Sequence, residues 1–154
     1  MSATRIAALA AAGSALLLCG AFIFQALGYP PCKMCIWQRW PHAVAMLCGL
    51  GYIWLQQRPF LWLGGVAALT TSGVGLYHAG VEQGWWEGPS SCTSGSIGGL
   101  SVDELLDKIL SAPVVRCDEI AWQFIGISMA GWNAIISLAL AALWLGAAVS
   151  RKHI

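Results

Sequence analysis

Four long apolar runs, Ile6 to Leu27, Ile36 to Leu55, Phe60 to Val81 and Ile120 to Val149, limit what this chain can fold into. A helix crosses about 30 Å of hydrocarbon with roughly 20 apolar residues, and each run reaches that length. Lipid offers no partner to a free amide, so such runs must satisfy their own backbone as helices. The composition agrees, since 58% of the 154 residues are hydrophobic and 10% are charged, against about 25% charged in a soluble domain. Residues 1–154 are expected to form a single all-α domain, an integral membrane four-helix bundle. Its connections on one side are 28–35 and 82–119, with the tight turn Gln56-Gln57-Arg58-Pro59 on the other. Arg5 and the run behind it imitate a secretory signal, but about 22 residues exceed the usual signal core. No small-x-small cleavage site follows it, so this run is expected to stay as the first helix.

Charge alone does not orient the bundle. Arg5, Arg58, Arg151 and Lys152 lie on one side, and Lys33, Arg39, Lys108 and Arg116 on the other, a tie under the positive-inside rule. All seven acidic residues fall between Glu82 and Glu119, in a connection that reads as translocated and solvated. The cysteines break the tie. Cys32, Cys35, Cys92 and Cys117 share one side, and disulfides persist in the periplasm rather than the cytosol. The expected location is a bacterial inner membrane, multi-pass, with both termini cytoplasmic and the cysteines facing the periplasm.

Within that frame, Pro30-Pro31 stops the first helix. Pro41 stands either in the first turn of the second helix or within it, where it frees the Trp37 carbonyl. Gly64, Gly65, Thr70, Thr71, Ser72, Gly73 and Gly75 give the third helix a surface that neighbours can approach closely. Tyr77 and His78 end it on the outer side. In the long connection, Gly88 to Gly99 reads as a flexible stretch. Ser101-Val102-Asp103-Glu104 reads as a capping box opening a short amphipathic helix that ends before Pro113 and either lies on the bilayer surface or caps the bundle. Trp37, Trp40, Trp85, Trp86 and Trp122 at the outer ends, with Trp54, Trp62 and Trp144 toward the inner side, form an aromatic belt. Cys19 and Cys48 lie inside spans as small apolar residues, and Asn133 reads as an interhelical hydrogen bond.

The chemistry centres on Pro31-Cys32-Lys33-Met34-Cys35. Two cysteines separated by two residues close a small, labile disulfide ring of the catalytic kind. Four cysteines in connections allow three pairings; closeness in sequence favours Cys32 with Cys35 and leaves Cys92 with Cys117. The second bridge is either a structural staple or an exchange partner of the first. With the second helix starting near Cys35, Arg39 falls on the same face, where it either holds Cys35 as a thiolate and stabilises a reduced acceptor, or snorkels to the interface. His78 is a candidate for hydrogen bonding or proton relay at the same surface. Oxidising a dithiol needs a two-electron acceptor, and no haem, flavin, nicotinamide or iron–sulfur motif is present. A lipid-soluble quinone, ubiquinone or menaquinone, meets the need. The competing readings are a four-cysteine zinc site and a scaffold whose disulfides are only structural.

Pro31-Cys32-x-x-Cys35-x-x-Gln38-Arg39, the later Cys92 and Cys117, Trp122 after Cys117, and Gly126-Ile127-Ser128-Met129-Ala130-Gly131-Trp132-Asn133 together resemble the bacterial disulfide bond formation protein B (DsbB) family. The resemblance spans the chain. It implies a quinone-reducing membrane enzyme that reoxidises a periplasmic DsbA-like, thioredoxin-fold thiol oxidase. It further implies that Cys92 forms the mixed disulfide with that partner, that Cys117 exchanges with Cys32, and that Cys35 contacts the quinone beside Arg39, with Trp122 and His78 near the ring. The implied partners are that protein and the lipid bilayer, with no nucleic acid.

Overall fold

A computed structural model describes residues 2–93, 101–110 and 115–150. Among them are five helices, α1 (Ala3–Ala26), α2 (Lys33–Leu55), α3 (Pro59–Glu82), α4 (Val102–Leu110) and α5 (Met129–Val149), and a two-stranded hairpin of β1 (Gln123–Phe124) and β2 (Ile127–Ser128). α1, α3 and α5 are long and apolar enough to cross a membrane. α2 is as long, 23 residues, but Lys33, Gln38, Arg39 and His42 lower its hydropathy. α1 packs on α2 and α5, and α3 packs on the same two from the other side.

The inside of this arrangement is small and the outside is large, the inverse of a soluble core. Ala7, Ala10 and Ser14 of α1, Ala68 and Thr71 of α3 and Ala141 of α5 are buried, whereas Leu16, Leu50 and Leu138 point outward. Helices that meet on such residues approach closely and gain packing rather than hydrophobic transfer, the mode suited to lipid. Trp144 is the large exception. It is wholly buried, because Gly64 leaves the space its ring fills. It therefore belongs to the core and not to the inner aromatic belt expected for it.

Local sequence explains the helix ends. Ser2 caps α1 by accepting the Arg5 N–H, and Ser128 caps α5 by accepting that of Gly131. Pro59 opens α3 at its first turn, where a missing amide hydrogen costs nothing. Pro41 is interior to α2, and one turn earlier the Gln38 carbonyl accepts a hydrogen bond from the Thr71 hydroxyl at 3.0 Å. The capping box forms as expected, Ser101 Oγ lying 2.7 Å from Glu104 Oε2. α4 carries Val102, Leu106, Ile109 and Leu110 fully outward. Residues 94–100 of the Gly- and Ser-rich stretch, and the end of that helix at Pro113, lie outside the described residues.

Two expectations need correction. The chain is not all-α, and the last apolar run is not helical throughout. Residues 120–128 form an extended segment and the hairpin, and α5 starts only at Met129. The turn is made by Ile125 (φ 52°) and Gly126 (φ 74°), both left-handed, as a two-residue hairpin of this kind requires. Glycine accepts that conformation freely; a β-branched isoleucine does not. The Trp132 indole donates to the Phe124 carbonyl at 3.1 Å and ties the hairpin to α5.

The closest approach of α3 to α5 is testable at Gly75, where an added Cβ would stand 3.0 Å from the Ala130 carbonyl oxygen and 3.1 Å from the Ala134 nitrogen. Backbone cannot yield as a side chain does, so Gly75→Leu is expected to lower stability by about 1–3 kcal/mol, read as a lower thermal midpoint in detergent.

Candidate functional site

The site is assembled at the end of the bundle where α2 begins. Gly28 (φ 97°) and the two prolines turn the chain, and Cys32 becomes the N-cap of α2, its Sγ accepting the Cys35 N–H at 3.2 Å. An N-cap side chain and the residue three positions later face each other across the first turn. The two Sγ atoms are accordingly 2.9 Å apart, as two unbridged thiols. Its hydrogen bond to Cys35, followed by burial, pushes the Cys32 thiol well above the ordinary cysteine range.

α3 supplies His78, one turn before its end and buried. The ring Nε2 lies 3.6 Å from Cys32 Sγ, and Nδ1 lies 2.9 Å from the Gln38 side-chain amide nitrogen. One turn later Glu82 brings Oε1 to 3.9 Å from His78 Nε2, while its Oε2 is buried without a hydrogen-bond partner. Cys92 and Cys117 are joined as a disulfide, with the Cys117 N–H donating to the Cys92 carbonyl at 2.7 Å. Both are buried in one cluster with Cys32, Met34 and Val81, and Cys35 packs against it. Beside the bridge, Arg116 pairs with Asp118 at 2.7 Å, and this hydrogen-bonded pair holds the Asp118 carboxyl below its usual range.

A cavity of about 510 Å³ opens beside the thiols, lined by Cys32, Cys35, Arg39, His78 and Trp122, by many apolar residues, and by the polar side chains of Gln38, Glu82 and Asn133 among others. Cys92 and Cys117 are not among its lining. Trp122 packs tilted against Phe24, with ring centroids 5.0 Å apart. Arg39 lines the cavity together with Cys35. Its guanidinium turns to α1, donating to Gln25 Oε1 at 2.7 Å and to the Ala21 carbonyl at 3.3 Å, and sits 4.8 Å from the centre of the Phe22 ring. Its Nε is buried without a partner.

All seven residues singled out from sequence thus gather at one end, five on the cavity and two in the bridge packed behind it. Glu82 escaped attention, and Gln38 was read only as a member of the motif that ends at Arg39. A carboxylate four residues after a histidine, at the end of an apolar span, was the available signal for Glu82; the motif marked Gln38, but its contact with His78 is set by the meeting of α2 and α3 and not by local sequence. A four-cysteine zinc site is not what the described residues build, since Cys92 and Cys117 are bonded to each other.

Fold and cysteines together define a class, a helical membrane protein holding a disulfide and a dithiol side by side over an apolar cavity. The family model described as disulfide bond formation protein DsbB matches residues 3–147, and the chain belongs to the DsbB family, the membrane proteins of disulfide bond formation. Disulfide bond formation protein B of Polaromonas naphthalenivorans is 31% identical, over 97% of this chain and 94% of its own. That of Albidiferax ferrireducens is 33% identical, over 84% and 80%, and that of Paracidovorax citrulli 30%, over 91% and 83%. No solved structure matches the chain.

The bridge closes a sequence separation of 25 residues, which restricts the unfolded loop by about 3 kcal/mol. Cys92→Ala with Cys117→Ala is therefore expected to leave the helices folded and to speed limited proteolysis between them, seen as new fragments by mass spectrometry. An unchanged cleavage rate would show that the bridge does not restrain the loop.

Proposed function

We propose that the protein is a quinone-dependent thiol–disulfide oxidoreductase that reoxidises a periplasmic DsbA-type thioredoxin-fold protein. The observation that carries this reading is the packing of a disulfide and a dithiol into one buried cluster, only the dithiol bordering the cavity. Family membership and the relatives' printed role in disulfide bond formation support it. In this reading the four long helices span the inner membrane as a bundle, with both termini cytoplasmic and the cysteines periplasmic.

The chain's own residues divide the work. Cys92 receives the partner's thiol and forms the mixed disulfide. Cys117 exchanges with Cys32, so that the partner's two electrons come to rest on Cys32 and Cys35. Closing the Cys32–Cys35 bond then gives up two electrons and two protons. A quinone, when bound, supplies the acceptor for both. The lining fits such a group, because it is chiefly apolar, bears the aromatic face of Trp122, and has next to it the unpartnered donor Arg39 Nε. A buried donor left without an acceptor is costly, and a carbonyl oxygen would relieve it. Cys35 at the helix N-terminus is the sulfur best suited to react as a thiolate, and Trp122 with Phe24 keeps water from the ring.

The test is anaerobic reduction of a soluble quinone by purified protein and a reduced thioredoxin-fold partner. Quinone loss is expected to need the partner and to vanish in Cys35→Ser and Cys92→Ser. Arg39→Leu is expected to raise KM for quinone about tenfold, the loss of one charge-assisted hydrogen bond. Full activity in either cysteine variant would overturn the reading.

A further inference from the structure

Two backbone carbonyls, which accept hydrogen bonds and never donate, fix the direction of a chain of contacts that ends on Cys32. The Asn133 amide nitrogen lies 3.3 Å from the Thr71 carbonyl oxygen, so the nitrogen end of that amide faces α3. It also donates to Gln38 Oε1 at 2.7 Å. Gln38 is thereby oriented with its own nitrogen toward the Met34 carbonyl at 3.3 Å and toward His78 Nδ1 at 2.9 Å. A donor facing Nδ1 needs a lone pair there, and a neutral imidazole has one proton to place. That proton sits on Nε2, facing Cys32 Sγ at 3.6 Å and Glu82 Oε1 at 3.9 Å, with the Cys117 backbone also within hydrogen-bonding reach of the ring.

We infer that Gln38 and Asn133 are positioning residues that hold His78 in its Nε2–H form, so that the ring donates to the Cys32 sulfur. The inference rests on the oxidoreductase reading and deepens it. In the exchange that completes transfer between the pairs, a Cys92 thiolate attacks Cys117 within a Cys117–Cys32 bond. The Cys92–Cys117 bond forms, the Cys117–Cys32 bond breaks, and its electron pair leaves on Cys32. The proton Cys92 gave up beforehand is the one Cys32 regains, so no net proton or oxidant is consumed. The product has Cys92 joined to Cys117 with Cys32 and Cys35 as thiols, the state described above. An N–H aimed at Cys32 stabilises the negative charge as that sulfur leaves; a bare nitrogen would oppose it. The same tautomer leaves Nε2 no lone pair for a metal, although the ligand atoms of Cys32, Cys35 and His78 lie within 4.8 Å of one another.

Nitrogen NMR of ¹⁵N-histidine-labelled protein in detergent reads the tautomer without any activity, with His78→Gln assigning the signal. His78 is expected as the Nε2–H form; an Nδ1–H signal in the unsubstituted protein would overturn the inference. Gln38→Glu keeps the shape but replaces the donor by an acceptor. It is expected to move the ring proton to Nδ1 and to slow single-turnover exchange between the two pairs at least about tenfold, as loss of a hydrogen bond to a charged sulfur does. In a His78→Gln background the same substitution is expected to add no further loss, because Gln38 acts through that ring. An unchanged rate, or two losses that simply multiply, would defeat the proposal. Should the unsubstituted protein show no exchange at all while its tautomer is as expected, it is the oxidoreductase reading that has failed.

Discussion

Everything at the reactive end depends on how closely α3 can lie against α5. Small side chains allow that approach, and the Ser72 hydroxyl donates across it to the Ala134 carbonyl at 2.8 Å. The nearness lets Asn133 reach both Thr71 and Gln38, and lets α2 lean on the pair. In a medium that satisfies no polar group, Gln38, His42, Thr71, Asn133 and Ser137 must satisfy one another. They do so, apart from His42 Nδ1, through contacts of 2.7 to 3.3 Å that join three helices. The thiols rest on top of this knot, and a shift of either helix would disturb them through it.

The reactive pair draws its geometry from a local rule and its surroundings from distant ones. Cys32 and Cys35 meet because an N-cap and its third follower meet in any helix. What surrounds them comes from 46 residues away in His78, and from the disulfide between Cys92 and Cys117. Cys32, Cys92 and Cys117 are buried in one cluster and the half-buried Cys35 packs against it, so on the proposed reading exchange between the pairs would proceed largely within protein.

Much of this was legible in the chain, for physical reasons. Apolar length gave the helices to within a few residues, as with Ile6 to Leu27 against Ala3–Ala26 and Phe60 to Val81 against Pro59–Glu82. The capping box at Ser101 and Glu104 was readable because caps are local. The hairpin was not. From Ile120 to Phe124 only Gln123 is polar, and only Gly126 hints at a turn, so hydropathy had little break to find. For Arg39, helical spacing sets a face but not a rotamer: it lines the cavity with Cys35 while Phe22 and Gln25 of α1 engage its guanidinium. Trp144 went astray since belt and core tryptophans differ only by the glycines opposite, which lie 80 residues earlier in Gly64.

The late start of α5 has a geometric consequence. Nine residues withheld from a helix shorten it by roughly 13 Å, and the missing turns leave a notch in the wall that α1 and α5 would otherwise share. Leu16 of α1 both lines the cavity and faces outward, and Phe124 of the hairpin does the same. The recess thus opens beside outward-facing apolar side chains. On the proposed function, an acceptor entering there from the bilayer would be sorted first by solubility in lipid, before any side chain of the protein is touched.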